Sequence, residues 1–266
     1  MLIRYPGSKD KAAPDLLALA PADFTEYRDA FAGSAAMLWE VPTDVRRWVN
    51  DIDPNIYTFL TALRDDPTLP ERIADLHERF SHASQEDISR QFYLSKYHWG
   101  ARRCPLAYIF LSRYAYGQMV TDERQDYGSL GVHNQRNGIR PVSADRVEAA
   151  RRIMQGVRIT QWKYQRVLEA PGKNVFIFAD PPYLLDHHSA PIYSHEFTVQ
   201  QHRQFAKDVL KCKHKVMVTI GHCGLSHEIY VESGRFNYFF RKCRYSSVLR
   251  DEQPEIYELV ALNYSS

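Results

Sequence analysis

Asp180-Pro181-Pro182-Tyr183 is the segment of this 266-residue chain whose side chains add up most directly to a chemical task. It follows the apolar run Val175–Ala179, which predicts a strand buried on both faces. Ligands of open α/β sheets bind just beyond the carboxyl ends of the strands, so Asp180 is expected to aim its carboxylate into such a crevice. The two prolines fix φ and offer no N–H, which stiffens the turn and leaves their carbonyls to accept hydrogen bonds. Tyr183 adds a flat face. Together these groups suit one job: holding a planar amino group before an electrophile. The lone pair of an aromatic amine is delocalised into its ring. Acceptors at Asp180 and Pro181 would turn that lone pair outward and stabilise positive charge as it develops on nitrogen. The competing reading is a proline-rich turn after a strand.

The elements around this turn predict an α/β fold with a mainly parallel sheet, because strand and helix signals alternate. Strand signals fall at residues 27–31, 46–49, 157–161, 175–179 and 215–220, with a closing pair at 236–240 and 258–263. Helical spacing is read at 11–19, 71–80, 85–97, 105–114 and 197–212, and a further helix opens at Asp53-Pro54 and runs to Leu63. Phe31-Ala32-Gly33-Ser34-Ala35 forms a small-residue turn after the first strand, and Asn50-Asp51 closes the second. Between about 61 and 157 the alternation breaks. Helices there lead into a polar, Gly- and Asn-rich stretch at 121–141 that suits a hairpin and loops. This predicts a core domain from residues 1–60 and 158–266 interrupted by a mostly helical insertion at 61–157.

Net charge is +2, yet residues 90–166 carry fourteen Lys/Arg against five Asp/Glu and eleven aromatics. Basic and aromatic residues interleaved in one segment suit a polyanion with stackable bases; a solvated helical surface is the alternative. The chain lacks an apolar run of about 18 residues, so a membrane span is not expected. Its N-terminus has no apolar leader, so secretion is not expected. Cys104, Cys212, Cys223 and Cys243 are widely spaced and read as free thiols in a reducing cytoplasm. No His/Cys spacing matches a zinc site, so no metal is expected. Lys9 follows Pro-Gly but lacks the phosphate-loop pattern, which excludes a nucleotide-hydrolysis motif.

In this order of motifs the chain resembles the Dam-like adenine-specific DNA methyltransferases. The resemblance rests on Tyr5-Pro6-Gly7-Ser8-Lys9, on the Phe31–Ala35 loop preceded by Asp29, on Asn50-Asp51-Ile52-Asp53, and on the segment from Leu111 through Arg113 and Tyr116 to Gly117. Asp180-Pro181-Pro182-Tyr183 follows, then Tyr245-Ser246-Ser247 and Tyr257-Glu258-Leu259 with Asn263-Tyr264. Three positions depart from the family pattern. Ser8 and Ala35 stand where glycine is frequent, and Gln161-Trp162 stands where Asp-Phe is usual.

The resemblance implies a Rossmann-like class I methyltransferase sheet that uses S-adenosylmethionine to methylate the exocyclic amino group of adenine in double-stranded DNA. It implies a cofactor site from Tyr5, Pro6, Gly7, Lys9, Asp29, Phe31, Gly33, Ser34, Asp51, Ile52, Gln161, Trp162 and Asp180. Lys9 and Asp29 would hold the amino-acid end and Asp51 the ribose, although Asp51 alone also reads as a turn or capping carboxylate. Catalysis would fall to Asp180, Pro181, Pro182 and Tyr183, with Tyr183 stacking on a flipped base. DNA contacts are expected from Arg113, Tyr116, Arg124, Arg136 and Arg140. A cytoplasmic monomer is expected, and a cognate restriction endonuclease is a partner such enzymes have. The same catalytic motif also serves cytosine or RNA adenine, and a silent DNA-binding relative is a different class of reading.

Overall fold

Val175–Ala179 forms β4, and all five of its residues are buried. A strand so apolar needs neighbours on both edges and helices on both faces. In the computed structural model, which describes residues 7–114, 142–184, 197–243 and 256–265, β4 pairs in parallel with β1 (Glu26–Asp29) and β5 (Lys215–Gly221). β2 (Arg46–Asn50) lies parallel to β1, and β3 (Arg158–Thr160) parallel to β2. β7 (Ile256–Leu262) runs antiparallel to β5, and β6 (Asn237–Cys243) antiparallel to β7. The strand order is β3-β2-β1-β4-β5-β7-β6. This is the mainly parallel α/β sheet that the alternation of strand and helix signals predicts, with the closing antiparallel pair at one edge.

Side chains alternate between the two faces, and the buried ones sort accordingly. Tyr27, Val49, Phe176, Phe178, Met217, Val260 and Leu262 point to one face, where they join a single apolar cluster with the helices α1 (Ala13–Leu17), α2 (Pro54–Asp65), α3 (Leu69–Ser81), α4 (Gln85–Arg102), α5 (Pro105–Tyr114) and α6 (Ala144–Met154). Trp48, Ile177, Val218 and Ala261 point to the other face, under α7 (Tyr164–Glu169), α8 (Val199–Lys211) and the short α9 (Gly224–His227). Each buried side chain of this size contributes about 1.5–3 kcal/mol relative to exposure. No helix among the described residues is long and apolar enough to cross a membrane.

Local chemistry sets the helix ends. Asp53 caps α2 by accepting a hydrogen bond from the Asn55 N–H at 2.8 Å, with Pro54 at the first helical position. α4 runs on past residue 97, where the sequence pattern fades. It stops where Arg103 turns left-handed (φ 50°), two residues before Pro105. α6, α7 and α9 carry no strong periodic signal and were not anticipated. The expected hairpin at 121–141 lies outside the described residues, as do Tyr5, Pro6, Tyr116, Arg124, Arg136, Arg140 and Tyr245-Ser246-Ser247.

Asn50 fastens the carboxyl ends of three strands. Its amide nitrogen donates to the carbonyls of Ala30 (3.1 Å) and Trp162 (3.0 Å). Its oxygen accepts from Thr160 Oγ1 (2.8 Å) and the Trp162 N–H (2.9 Å). The side chain is 1% exposed, so no water can replace these bonds. Asn50→Ala strands buried backbone groups and is expected to cost about 2–4 kcal/mol. Urea unfolding should show a lower midpoint at unchanged slope.

Candidate active site

The parallel strands deliver their carboxyl ends to one edge. Asp29 ends β1, Asn50 ends β2 with Asp51 following it, and Asp180 follows β4. Between β1 and β4, where the strand order reverses direction, lies a cleft of about 280 Å³. Lys9, Asp29, Phe31, Asp51, Ile52 and Asp180 all line it, and so do Gly7, Gly33, Ser34 and Trp162. Residues scattered over 170 positions of sequence thus share one wall. Gln161 does not line the cleft: its side-chain amide donates to the Ile52 carbonyl at 3.3 Å on the protein surface.

The loop after β1 is shaped by backbone conformation. Gly33 has φ 47°, and its N–H donates to Asp51 Oδ2 at 2.8 Å. Asp51 Oδ1 accepts from the Asp53 N–H at 2.9 Å. Ala35, where the family pattern favours glycine, is left-handed with φ 53°. For a residue with a Cβ this conformation costs about 1–2 kcal/mol. The loop keeps the glycine-type turn despite the substitution. Ser8, the other non-glycine position, bonds through its hydroxyl to that of Ser34 at 3.2 Å, joining the two loops that border the cleft.

Asp180 is held from both oxygens. Lys9 Nζ donates to Oδ2 at 2.6 Å and Thr219 Oγ1 to Oδ1 at 2.7 Å. Lys9 also donates to the Gly7 carbonyl at 2.8 Å and stands 3.4 Å from Glu258 Oε1. Its ammonium lies 5.0 Å from the centre of the Tyr183 ring. Glu258 accepts from the Tyr183 hydroxyl and from Arg241 Nη2 at 2.8 Å. Burial pushes the Asp180 carboxyl above its ordinary range, the Lys9 charge opposes this, and the Glu258 charge adds to it. Burial alone would lower Lys9, but the two carboxylates outweigh it and raise its pKa. Glu258 is lowered despite burial, chiefly by Lys9 and then by the Tyr183 and Arg241 hydrogen bonds.

Asp29 has a different environment. It is 1% exposed and accepts from the Phe31 N–H and the Tyr27 hydroxyl, each at 3.2 Å. No Lys or Arg among the described residues pairs with it. Burial pushes its carboxyl up to about 8 against the Phe31 hydrogen bond, and the Asp180 charge adds to the rise.

Sequence reasoning missed Asn50, Thr219, Gly221, Arg241 and Glu258 as site residues. The available signal was a polar side chain inside an apolar strand, as in Val-Thr-Ile of β5 and Tyr-Glu-Leu-Val of β7. A buried carboxylate there requires cation or donor partners. Of the expected DNA-binding residues, Arg113 is described: it sits in the last turn of α5, half-buried, beside His77. Among the described residues, no three His, Cys, Asp or Glu side chains are grouped to hold a metal ion.

Residues 5–246 match the family model described as D12 class N6 adenine-specific DNA methyltransferase. No curated protein matches the chain.

The Asp29 environment predicts a pH signature. An unfolded aspartate ionises near 3.9, whereas the folded one ionises near 8. Between these values the unfolded state binds fewer protons, so this group lowers stability as pH rises. Asp29→Asn removes that slope. Urea midpoints should therefore shift in favour of the variant between pH 5 and 8 and level off above 8. A constant offset across that range would mean that Asp29 is already ionised in the fold.

Proposed function

Because this chain belongs to the D12 class of N6 adenine-specific DNA methyltransferases, we propose that it transfers a methyl group from S-adenosylmethionine to an adenine swung out of double-stranded DNA at a specific sequence. The observation that carries this reading is Asp180. It stands in the same cleft as Asp29 and Asp51, fixed by Lys9 and Thr219, with Tyr183 beside it.

The residues present fit the donor. Asp29, buried with no Lys or Arg partner among the described residues, offers a counter-charge for the ammonium of an amino-acid tail. A carboxylate accepts about four hydrogen bonds, so Asp51 can serve ribose hydroxyls along with the amides of Gly33 and Asp53. Gly33 lets the loop backbone approach closely, and Phe31, Ile52 and Trp162 offer apolar walls. Tyr5, Pro6, Gly7, Lys9 and Ser34 complete the proposed cofactor set, and Gln161, which lies outside the cleft, drops out of it. When bound, S-adenosylmethionine supplies an electrophilic methyl group carried on positively charged sulfur.

This chain's residues then do the remaining work. Asp180 and the Pro181 carbonyl accept hydrogen bonds from the target amine and aim its lone pair at the methyl group. A neutral aromatic amine is too weak an acid to be deprotonated first. Asp180 therefore acts by stabilising the cationic nitrogen as it forms, and the proton leaves with or after transfer. Tyr183 presents its ring to the flipped base, and Pro181 and Pro182 keep the turn rigid. An intact, doubly anchored Asp180 favours an active enzyme over a silent DNA-binding relative.

DNA contacts are proposed on the 61–157 segment, through Arg113, Tyr116, Arg124, Arg136 and Arg140. A monomer acting in the cytoplasm, with or without a cognate restriction endonuclease, completes the proposal.

Single-turnover methylation of unmethylated plasmid DNA, with labelled S-adenosylmethionine and both ligands saturating, tests the central claim. Asp180→Ala should nearly abolish turnover while leaving cofactor and DNA binding largely intact. Asp180→Asn should lose roughly 2.7–4 kcal/mol of transition-state stabilisation. Near wild-type methylation by Asp180→Ala would reduce the motif to a turn. The DNA surface is tested by salt dependence. Replacing an arginine that touches phosphate should flatten the slope of affinity against salt by about one counterion. At least two of Arg113, Arg124, Arg136 and Arg140 should do so; an unchanged slope for all four places the surface elsewhere.

A further inference from the structure

β7 reads Ile-Tyr-Glu-Leu-Val-Ala-Leu, an apolar strand with one acid that faces inward. Glu258 is 3% exposed. Its neighbours across the sheet are Gly221 on β5 and Arg241 on β6, both in direct register. The three residues form a row beneath Tyr183. Arg241 neutralises Glu258 from one side, donating to Oε2 from Nε at 3.1 Å and Nη2 at 2.8 Å. On the other side, the missing side chain of Gly221 leaves space for the tyrosine ring. A Cβ built there would stand 2.9 Å from Tyr183 Cδ2, closer than any real contact. The ring crosses this gap, and its hydroxyl donates to Glu258 Oε1. The same oxygen lies 3.4 Å from Lys9 Nζ, which holds Asp180 at 2.6 Å.

We propose that Glu258 is the positioning residue of the active site, fixing the angle of the Tyr183 ring and the Lys9 ammonium through one carboxylate, with Gly221 providing the space and Arg241 the counter-charge. Glu258 touches neither substrate nor donor in this scheme. It acts through Tyr183, which sets the plane of the target base, and through Lys9, which holds Asp180. The inference rests on the reading of Tyr183 as the stacking surface for the base. It goes beyond that reading by assigning the hydroxyl a function: the ring stacks, and the hydroxyl sets the stacking angle.

The test uses the full chain, unmethylated plasmid DNA and labelled S-adenosylmethionine. Tyr183→Phe removes the hydrogen bond to Glu258, and Glu258→Gln keeps an acceptor oxygen but removes the charge that holds the Tyr183 hydroxyl and Lys9. Each should slow single-turnover methylation by about tenfold or more, the scale of a hydrogen bond to a charged group. The dissociation constant for S-adenosylmethionine should stay within about twofold. The losses in the double variant should fall short of multiplying, because the Tyr183–Glu258 contact is common to both changes. Gly221→Ala should also slow turnover, although it leaves every hydrogen-bonding group in place. Wild-type rates in Tyr183→Phe would overturn the proposal. So would multiplying losses in the double variant, or a loss of cofactor binding that parallels the loss of rate in Glu258→Gln. If Glu258→Gln does not fold, Tyr183→Phe and Gly221→Ala decide the matter, since neither unpairs a buried charge. A wild-type chain that methylates no adenine would instead defeat the underlying assignment of function.

Discussion

Negative charge drawn wholly or partly out of water is the constraint around which this site is built. Parallel strands bring Asp29, Asp51 and Asp180 to one edge of the sheet, and β7 adds Glu258. Carboxylates out of water must find donors or cations, or take up a proton. The four acids meet this demand in different ways. Asp51 is held by two backbone N–H groups, from Gly33 and Asp53. Asp180 and Glu258 share Lys9, and Arg241 completes the count for Glu258. These last two acids and two bases form a cluster with no net charge. Among the described residues Asp29 has two neutral donors and no cation, and burial raises its proton affinity.

This arrangement ties distant parts of the chain together. Lys9 comes from the segment before α1, Asp180 from the end of β4, and Glu258 from the last strand. A second bond joins the same regions, from the Tyr264 hydroxyl to the Leu19 carbonyl at 3.0 Å. The sheet edge is stiffened independently by Asn50, whose four hydrogen bonds hold the turn after β1 and the segment after β3. The Asp180 turn therefore rests on hydrogen bonds and ion pairs made within the chain itself. Such preorganisation lets fixed dipoles and charges stabilise a transition state without rearrangement.

Much of this was legible in the sequence because the core strands are unambiguous. Val175–Ala179 is apolar throughout, and the strand forms at those residues. Lys9, Phe31, Asp51 and Asp180 were expected to converge, and they line one cleft. What escaped notice depended on registers that only pairing fixes. Glu258 stands opposite Gly221 and Arg241 because β7 inserts antiparallel between β5 and β6. No local pattern in residues 256–262 states that register. α6 escaped because its charged face outnumbers its apolar one, although Ser143 caps it and Val147, Ala150 and Met154 are buried along it. The link from Lys9 to Asp180 escaped for another reason. The family pattern assigns Lys9 to the cofactor site, and it does line that cleft, but its ammonium is committed to the carboxylate of the catalytic turn.

The contrast between Asp29 and Asp180 follows from what each is proposed to do. An acceptor for a developing cation must carry its charge at working pH, and Lys9 with Thr219 stabilises that charge on Asp180. Lys9 opposes the upward push of burial on its pKa. A counter-ion for an incoming ammonium has no such requirement. Burial pushes the Asp29 carboxyl up to about 8, and in the proposed function an arriving ammonium would favour its ionised form. This matters because the Asp180 and Asp29 carboxylates repel when both are charged. A permanently ionised Asp29 would push Asp180 toward protonation and spoil it as an acceptor. Under the proposed function, the burial of Asp29 with no Lys or Arg partner among the described residues would limit its repulsion of Asp180 until an ammonium arrives.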